Sequence, residues 1–149
     1  MNLGELLNTK DMQHRVAVTV SPNDTISLVI QKLVEHDCGS FPVCNDKGGL
    51  VGIITERDIV RKCFSGGTDC SKYKVQDVMS RKVAVGQADD DLDYAINVMK
   101  TERIRHLPVV DDKQVIGMIS MRDLLGFRLE ETDNKVRFLS DYISGGSLQ

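Results

Sequence analysis

The chain predicts an α+β fold built from two pseudo-symmetric repeats, each of the order β-α-β-β-α, packed through their sheets. Three observations carry this. "GIITERD" at residues 52–58 returns as "GMISMRD" at 117–123; "FPVC" at 41–44 returns as "LPVV" at 107–110; and an amphipathic stretch precedes each "PV" strand at the same distance. Pro42 falls on Pro108, Val43 on Val109 and Asp24 on Asp90, all 66 residues on. After one residue is lost in the turn "NDKGG" versus "DDKQ", Gly52 falls on Gly117, Thr55 on Ser120 and Asp58 on Asp123, 65 residues on. A repeat of this kind decides the architecture before any single element does.

Short apolar helices, "LGELL" (3–7) and "VQDVM" (75–79), precede the two copies. A strand opens each copy, Val16–Val20 and Val83–Val85. Polar residues follow, with Asn23 or Asp24 and Asp89 or Asp90 as candidate N-caps. The helix of the first copy carries Ile26, Val29, Ile30, Leu33 and Val34, and that of the second carries Leu92, Ala95, Ile96 and Met99, at helical spacing. Two strands joined by a Gly/Asp turn come next, "FPVC" with "LVGII" and "LPVV" with "VIGMI". A helix then starts at Thr55 or Ser120, where a hydroxyl three residues before an acid forms a helix-start signal. The short helices Ile59–Phe64 and Leu124–Leu129 close the copies. "SGGTDCSK" (65–72) is the polar linker. These features divide the chain into 1–66 with the N-terminal helix, a linker 67–74, a second repeat 75–130 and a tail 131–149. A copy of about 60 residues is short of core by surface-to-volume scaling, so each sheet needs the other as cover.

Composition narrows the function. Of 149 residues, 41% are apolar and 28% charged, and the net charge of −3 leaves no basic footprint for nucleic acid. No apolar run approaches the about 20 residues that span a bilayer, and "MNLGELLNTKDMQHR" has no secretory pattern, so a cytoplasmic protein without membrane contact is expected. Cys38, Cys44, Cys63 and Cys70 lack Cys-x-x-Cys or zinc-ligand spacing and read as thiols, with a Cys63–Cys70 pair as the lesser alternative. No nucleotide-loop, nucleophile-elbow or metalloprotease motif occurs, so neither a catalytic residue nor a metal ligand is assigned. "ADDDLD" (88–93) reads as an N-cap region. Met79, Met99, Met118 and Met121 read as core or interface, His14 and His36 as surface, and Arg15, Arg61, Lys62, Arg81 and Lys82 as scattered solvated charge.

The duplicated "PV…GhhT/SxxD" pattern, with "VQDVM" before its second copy, resembles a tandem pair of cystathionine β-synthase (CBS) domains, a Bateman module, over residues 3–127. "NKVRFLSDYISGG" is similar to the tail of small single-pair proteins. The resemblance implies a regulatory module, not an enzyme. It would need no cofactor, and would bind AMP, ADP, ATP or S-adenosylmethionine in clefts between the copies and report to a regulated partner protein. By position, the main cleft would use Ser120 and Asp123 for phosphate and ribose, Arg122 beside them, Val18, Cys38, Gly39 and Ser40 around the base, and Arg105 and His106 toward phosphate. A second cleft would use Thr55, Arg57 and Asp58, with Ala84 and Ile104 around the base. The chemistry of the motif agrees. An ionised Asp can accept from two vicinal hydroxyls, and a helix start favours an anion. Arg105 and His106 favour the Ser120/Asp123 cleft, since Gly39 and Ser40 stand at the equivalent positions of the other. The family also implies a homodimer, for which the closing helices and the tail offer apolar surface. A ligand-free dimerisation or scaffold module is the alternative.

Overall fold

The structure is a computed structural model that describes residues 1–12, 18–64 and 72–144. The expected strand residues Val16 and Ala17, together with His14, Arg15, Cys70 and most of the 65–72 linker, lie outside the described residues. The order is α1 (Leu3–Leu7), α2 (Ile26–Glu35), β1 (Ser40–Cys44), β2 (Leu50–Thr55), α3 (Glu56–Ile59) running into a π-helical turn (Val60–Phe64), α4 (Val75–Val78), β3 (Gly86–Gln87), α5 (Leu92–Glu102), β4 (His106–Asp111), β5 (Gln114–Ser120) and α6 (Met121–Ser144). This is the mixed α and β architecture of two repeats.

β1 and β2 pair antiparallel, with Val43 opposite Gly52, and β4 and β5 pair antiparallel, with Val109 opposite Gly117. Each hairpin carries an irregularity one step later, at Val43/Cys44 and at Val109/Val110. The duplication therefore extends to the register. The opening segments run parallel to β1 and β4, and in the first repeat the expected strand Val16–Val20 shows, among the described residues, a single bridge at Val20. Val20 bridges Val43, and β3 pairs with Val109 and Val110. The second of these strands starts three residues later than the Val83–Val85 expected. Pairing begins at Gly86, where a Cβ would lie 3.1 Å from Leu107 Cδ2 and 2.5 Å from Leu3 Cδ1, so any other residue would have to push these two buried leucines aside.

The helix caps also correct the sequence reading. Thr25 caps α2 by accepting from Leu28 N–H at 3.2 Å, and Asp91 caps α5 by accepting from Tyr94 N–H at 2.8 Å. Asp24 and Asp90 instead fold the preceding turns, accepting from Ser21 N–H at 2.8 Å and Gln87 N–H at 2.7 Å. Each acid is thus one residue too early to cap and satisfies a donor outside the helix. Both helices leave through a residue in the left-handed region, Asp37 (φ 47°) and Arg103 (φ 56°). Cys38 N–H donates to Leu33 C=O and Ile104 N–H to Met99 C=O across these turns. On α2 only Ile26, Val29 and Leu33 face the core, while Ile30 and Val34 are exposed.

Two apolar clusters form the core. One gathers Ile26, Val29, Phe41, Val43 and Ile54 with Val75, Val78 and Met79; the other gathers Leu92, Ala95, Met99, Leu107, Val109 and Ile119 with Leu3, Leu6 and Met12. The leading helices are therefore exchanged. α1 precedes the first repeat in sequence but packs on the second, where Leu3 N–H donates to Asp90 C=O and Gly4 N–H to Ala88 C=O. α4 precedes the second repeat and packs on the first, with Val75 N–H donating to Asp24 C=O. The expected short helix Leu124–Leu129 lies within the 24-residue α6, which continues without a break to Ser144. Among the described residues, no helix is long and apolar enough to cross a membrane.

Candidate functional site

Both hydroxyl–acid motifs form reciprocal caps. Asp58 N–H donates to Thr55 Oγ1 at 3.0 Å while Thr55 N–H donates to Asp58 Oδ2 at 3.1 Å; Asp123 N–H donates to Ser120 Oγ at 3.0 Å while Ser120 N–H donates to Asp123 Oδ2 at 3.0 Å. Each helix start is tied to the turn leading into its partner strand, through Glu56 N–H to Gly39 C=O and Met121 N–H to Arg105 C=O, both at 2.9 Å. The motif glycines serve a common purpose. A Cβ on Gly117 would lie 2.8 Å from both Cδ atoms of Leu7, and one on Gly52 would lie 2.8 Å from Met79 Sδ and 2.9 Å from the Ser80 carbonyl oxygen. They leave room for the exchanged leading helices.

The two motifs differ in what surrounds them. Val18, Cys38, Gly39, Ser40, Arg105, His106, Ser120, Arg122 and Asp123 all line one open cleft of about 1730 Å³ between the repeats. Thr55, Arg57, Asp58, Ala84 and Ile104 are not among its lining residues. Ala84 and Ile104 instead pack against the second core. Beside Asp58, Ser80 bridges Ile53 through the backbone, with N–H···O distances of 2.9 Å in both directions, and its hydroxyl donates to Asp58 Oδ1 at 3.4 Å.

Polar chemistry in the cleft is uneven. Ser40 Oγ is buried and makes no hydrogen bond, the one such buried side-chain atom among the described residues. Burial holds the His106 imidazole below its ordinary pKa; Asp123 opposes this, Arg105 adds to it, and Glu56 opposes it. The neutral ring is thereby favoured between two carboxylates and a guanidinium. Burial raises the Cys38 thiol, opposed by the Ser40 backbone N–H and reinforced by Asp37 and Glu56, and burial alone raises that of Cys44. Neither is poised as a nucleophile.

Sequence reasoning missed several lining residues. Leu7, Thr9 and Asp11 come from the exchanged leader, and Glu56 comes from the opposite repeat's helix start. A carboxylate directly after Thr55 was the one visible sign of the last. Met118 and Met121, read as core or interface, line the cleft, Met118 from β5 and Met121 from the start of α6. His36 is exposed as expected, yet stands at the cleft, edge-on to Phe41 with ring centroids 6.3 Å apart.

Comparison with known proteins places these features in a family. The CBS-domain family model matches residues 9–65 and 75–130. An uncharacterized protein of Methanopyrus kandleri is 36% identical over 116 residues, covering 77% of this chain and 59% of its own. The mitochondrial CBS domain-containing protein CBSX3 of Arabidopsis thaliana is 33% identical over 128 residues, covering 83% and 62%. The chain thus spans about three fifths of the length of these two relatives. The crystal structure of the CBS-domain protein ATU1752 from Agrobacterium tumefaciens superposes with a TM-score of 0.76 at 30% identity, covering 86% of this chain and 99% of that one. Two further structures share the fold at lower identity: CBSX2 in complex with AMP (TM-score 0.71, 23%, covering 88% and 98%) and the domain pair of MJ0100 with 5′-methylthioadenosine and S-adenosyl-L-methionine (TM-score 0.75, 24%, covering 88% and 98%). With both halves matched in order and the hairpins in the same register, this chain belongs to the CBS-domain family and carries two copies of the domain.

Proposed function

We propose that the chain is a regulatory module that binds an adenosyl ligand, such as AMP, ADP, ATP or S-adenosylmethionine, in the Ser120/Asp123 cleft and passes its state to a partner protein. One observation carries the reading: the nine residues named for that cleft come from both repeats and converge on one open space. The adenosyl compounds bound by CBSX2 and by the MJ0100 pair support the ligand class. Asp123 supplies a charged acceptor for a ribose diol. The Ser120 helix start, Arg105 and Arg122 supply positive potential for a phosphate, and Val18 with the Cys38–Ser40 turn supplies a partly apolar wall for a base. The ligand touches both repeats, so it favours the relative orientation in which both sets of contacts are made. The state passed on is that orientation. No step of chemistry is assigned to the cleft, and a regulatory role in the cytoplasm follows the same reading.

Calorimetry with AMP, ADP, ATP, NADH and S-adenosylmethionine tests it. Binding of at least one is expected, with Asp123→Ala weakening it about 10-fold or more, the value of one charge-assisted hydrogen bond. Asp58→Ala is expected to weaken it less. An equal or reversed order overturns the choice of cleft, and silence from every ligand favours the scaffold alternative.

A further inference from the structure

The cleft has a wall that runs on past the second motif. Arg122, Gly126 and Glu130 of α6 all line it, and their four-residue spacing sets them in one row, with about 6 Å of helical rise between neighbours. Leu125 and Leu129 lie outside that row and are exposed. Gly126 stands inside the helix, where glycine is disfavoured against alanine by the backbone freedom it gives up. Gly117 has a reason in the packing, since a Cβ there would meet Leu7, but a Cβ at 126 would meet nothing within 4 Å. The fold therefore does not demand a bare backbone at 126. A molecule lying along the row does, because a side chain there would fill the space it occupies.

The row is charged at both ends, by the Arg122 guanidinium and the Glu130 carboxylate. Side chains on a helix lean toward its N-terminus, which carries the Glu130 carboxylate back toward Gly126. Among the described residues that line the cleft, Asp11, Asp37, Glu56, Asp123 and Glu130 outnumber Arg105 and Arg122, and burial holds the His106 ring toward its neutral form. A phosphate of about −1.5 to −2 charge adds to that negative excess. A cationic group relieves it, and the two guanidiniums serve a carboxylate as readily as a phosphate.

A second wall supplies an independent sign of a polar ligand. In β1, Phe41 and Val43 pack in the first core, while Ser40 and Pro42 face the other way, onto the cleft. Ser40 is 5% exposed and its hydroxyl makes no hydrogen bond. A buried hydroxyl without a partner costs stability, and a ligand group beside it removes that cost.

We propose that Arg122, Gly126 and Glu130 form a subsite for the 5′ substituent of the adenosyl ligand, selecting the aminoacyl sulfonium chain of S-adenosylmethionine over phosphate. The nucleoside lies between Ser40 and Asp123. Its sulfonium chain follows α6 over Gly126, with the ammonium toward Glu130 and the carboxylate toward Arg122. The inference rests on the adenosyl reading of the cleft and narrows it to one charge class.

Calorimetry on the full chain with S-adenosylmethionine, 5′-methylthioadenosine, AMP and ATP, at low and at physiological salt, tests the subsite. S-adenosylmethionine is expected to bind about 10-fold or more tighter than either nucleotide, with the gap narrowing as salt rises. Glu130→Gln is expected to weaken it about 3-fold, the scale of an exposed ion pair, and to leave 5′-methylthioadenosine, which lacks the aminoacyl chain, unmoved. Gly126→Ala is expected to raise the urea midpoint of the ligand-free chain, yet to weaken S-adenosylmethionine about 10-fold without touching 5′-methylthioadenosine. A glycine with only a structural role would lose stability and both ligands together. AMP or ATP binding as tightly as S-adenosylmethionine, or substitutions that act alike on both sulfur compounds, overturns the subsite and leaves the adenosyl cleft standing. Failure of all four compounds to bind overturns the adenosyl reading and takes the subsite with it.

Discussion

His106 shows how one residue joins stability to the chemistry of the cleft. Its folded pKa lies below the ordinary value of about 6.5, with burial as the first cause and Asp123, Arg105 and Glu56 as its charged neighbours. Between the folded and ordinary values the unfolded chain takes up a proton that the folded chain refuses. Stability therefore rises with pH through that window and falls on acidification below about 6.5. His106→Gln is expected to flatten this part of the stability–pH curve, measured by urea unfolding at a series of pH values. An unchanged slope assigns the effect to another group. A bound phosphate would favour the charged ring, so proton uptake on binding, read by calorimetry in two buffers, is the companion signature for a phosphorylated ligand.

At the level of elements, the repeated glycine and the repeated hydroxyl–acid pair have separate duties. Glycine lets a leading helix lie across the hairpin, and the pair starts the next helix. Gly52 and Gly117 differ in what they meet: a carbonyl oxygen of Ser80 stands 2.9 Å from a Cβ at 52, whereas a Cβ at 117 meets only the end of the Leu7 side chain. Gly52→Ala is thus expected to cost about 1–3 kcal/mol and Gly117→Ala less, because a leucine rotamer gives way more easily than a paired backbone. Chemical denaturation of both variants checks the order, and equal costs would contradict it. The two glycines look alike in "GIITERD" and "GMISMRD", and nothing in either heptapeptide reveals which neighbour will lie above it.

For the whole molecule, packing α1 on the second repeat joins residues 3–12 to residues 84–127 in one apolar cluster, while the other is drawn from the stretch 18–79 between them. The cleft lies between halves that hold each other's leading helices, so a ligand gripping both halves stabilises the entire fold. At roughly 100 times its Kd a ligand adds about 2.7 kcal/mol, a Tm rise on the order of 10 °C for a chain of this size. Differential scanning fluorimetry with the bound member of the ligand panel reads this directly. A ligand that binds by calorimetry yet leaves Tm unmoved would show that it binds the unfolded chain as well.

The sequence by itself determined the duplication, the order of the hairpins and helices, and the two cap pairs. These are local properties written in the spacing of apolar, glycine and hydroxyl residues within one copy. The nine cleft residues were named by carrying the family's ligand positions onto the matching positions of the chain. Only the tertiary structure decided that Thr25 and Asp91, not the acids before them, cap the helices, because that depends on which backbone donors the turns already occupy. It alone exchanged the leading helices, brought Glu56 and the Leu7–Asp11 leader to the cleft, set Ser80 over Asp58, and left one face of α6 bare. Each of these depends on contacts between residues far apart in the chain, whose relative placement no local pattern encodes.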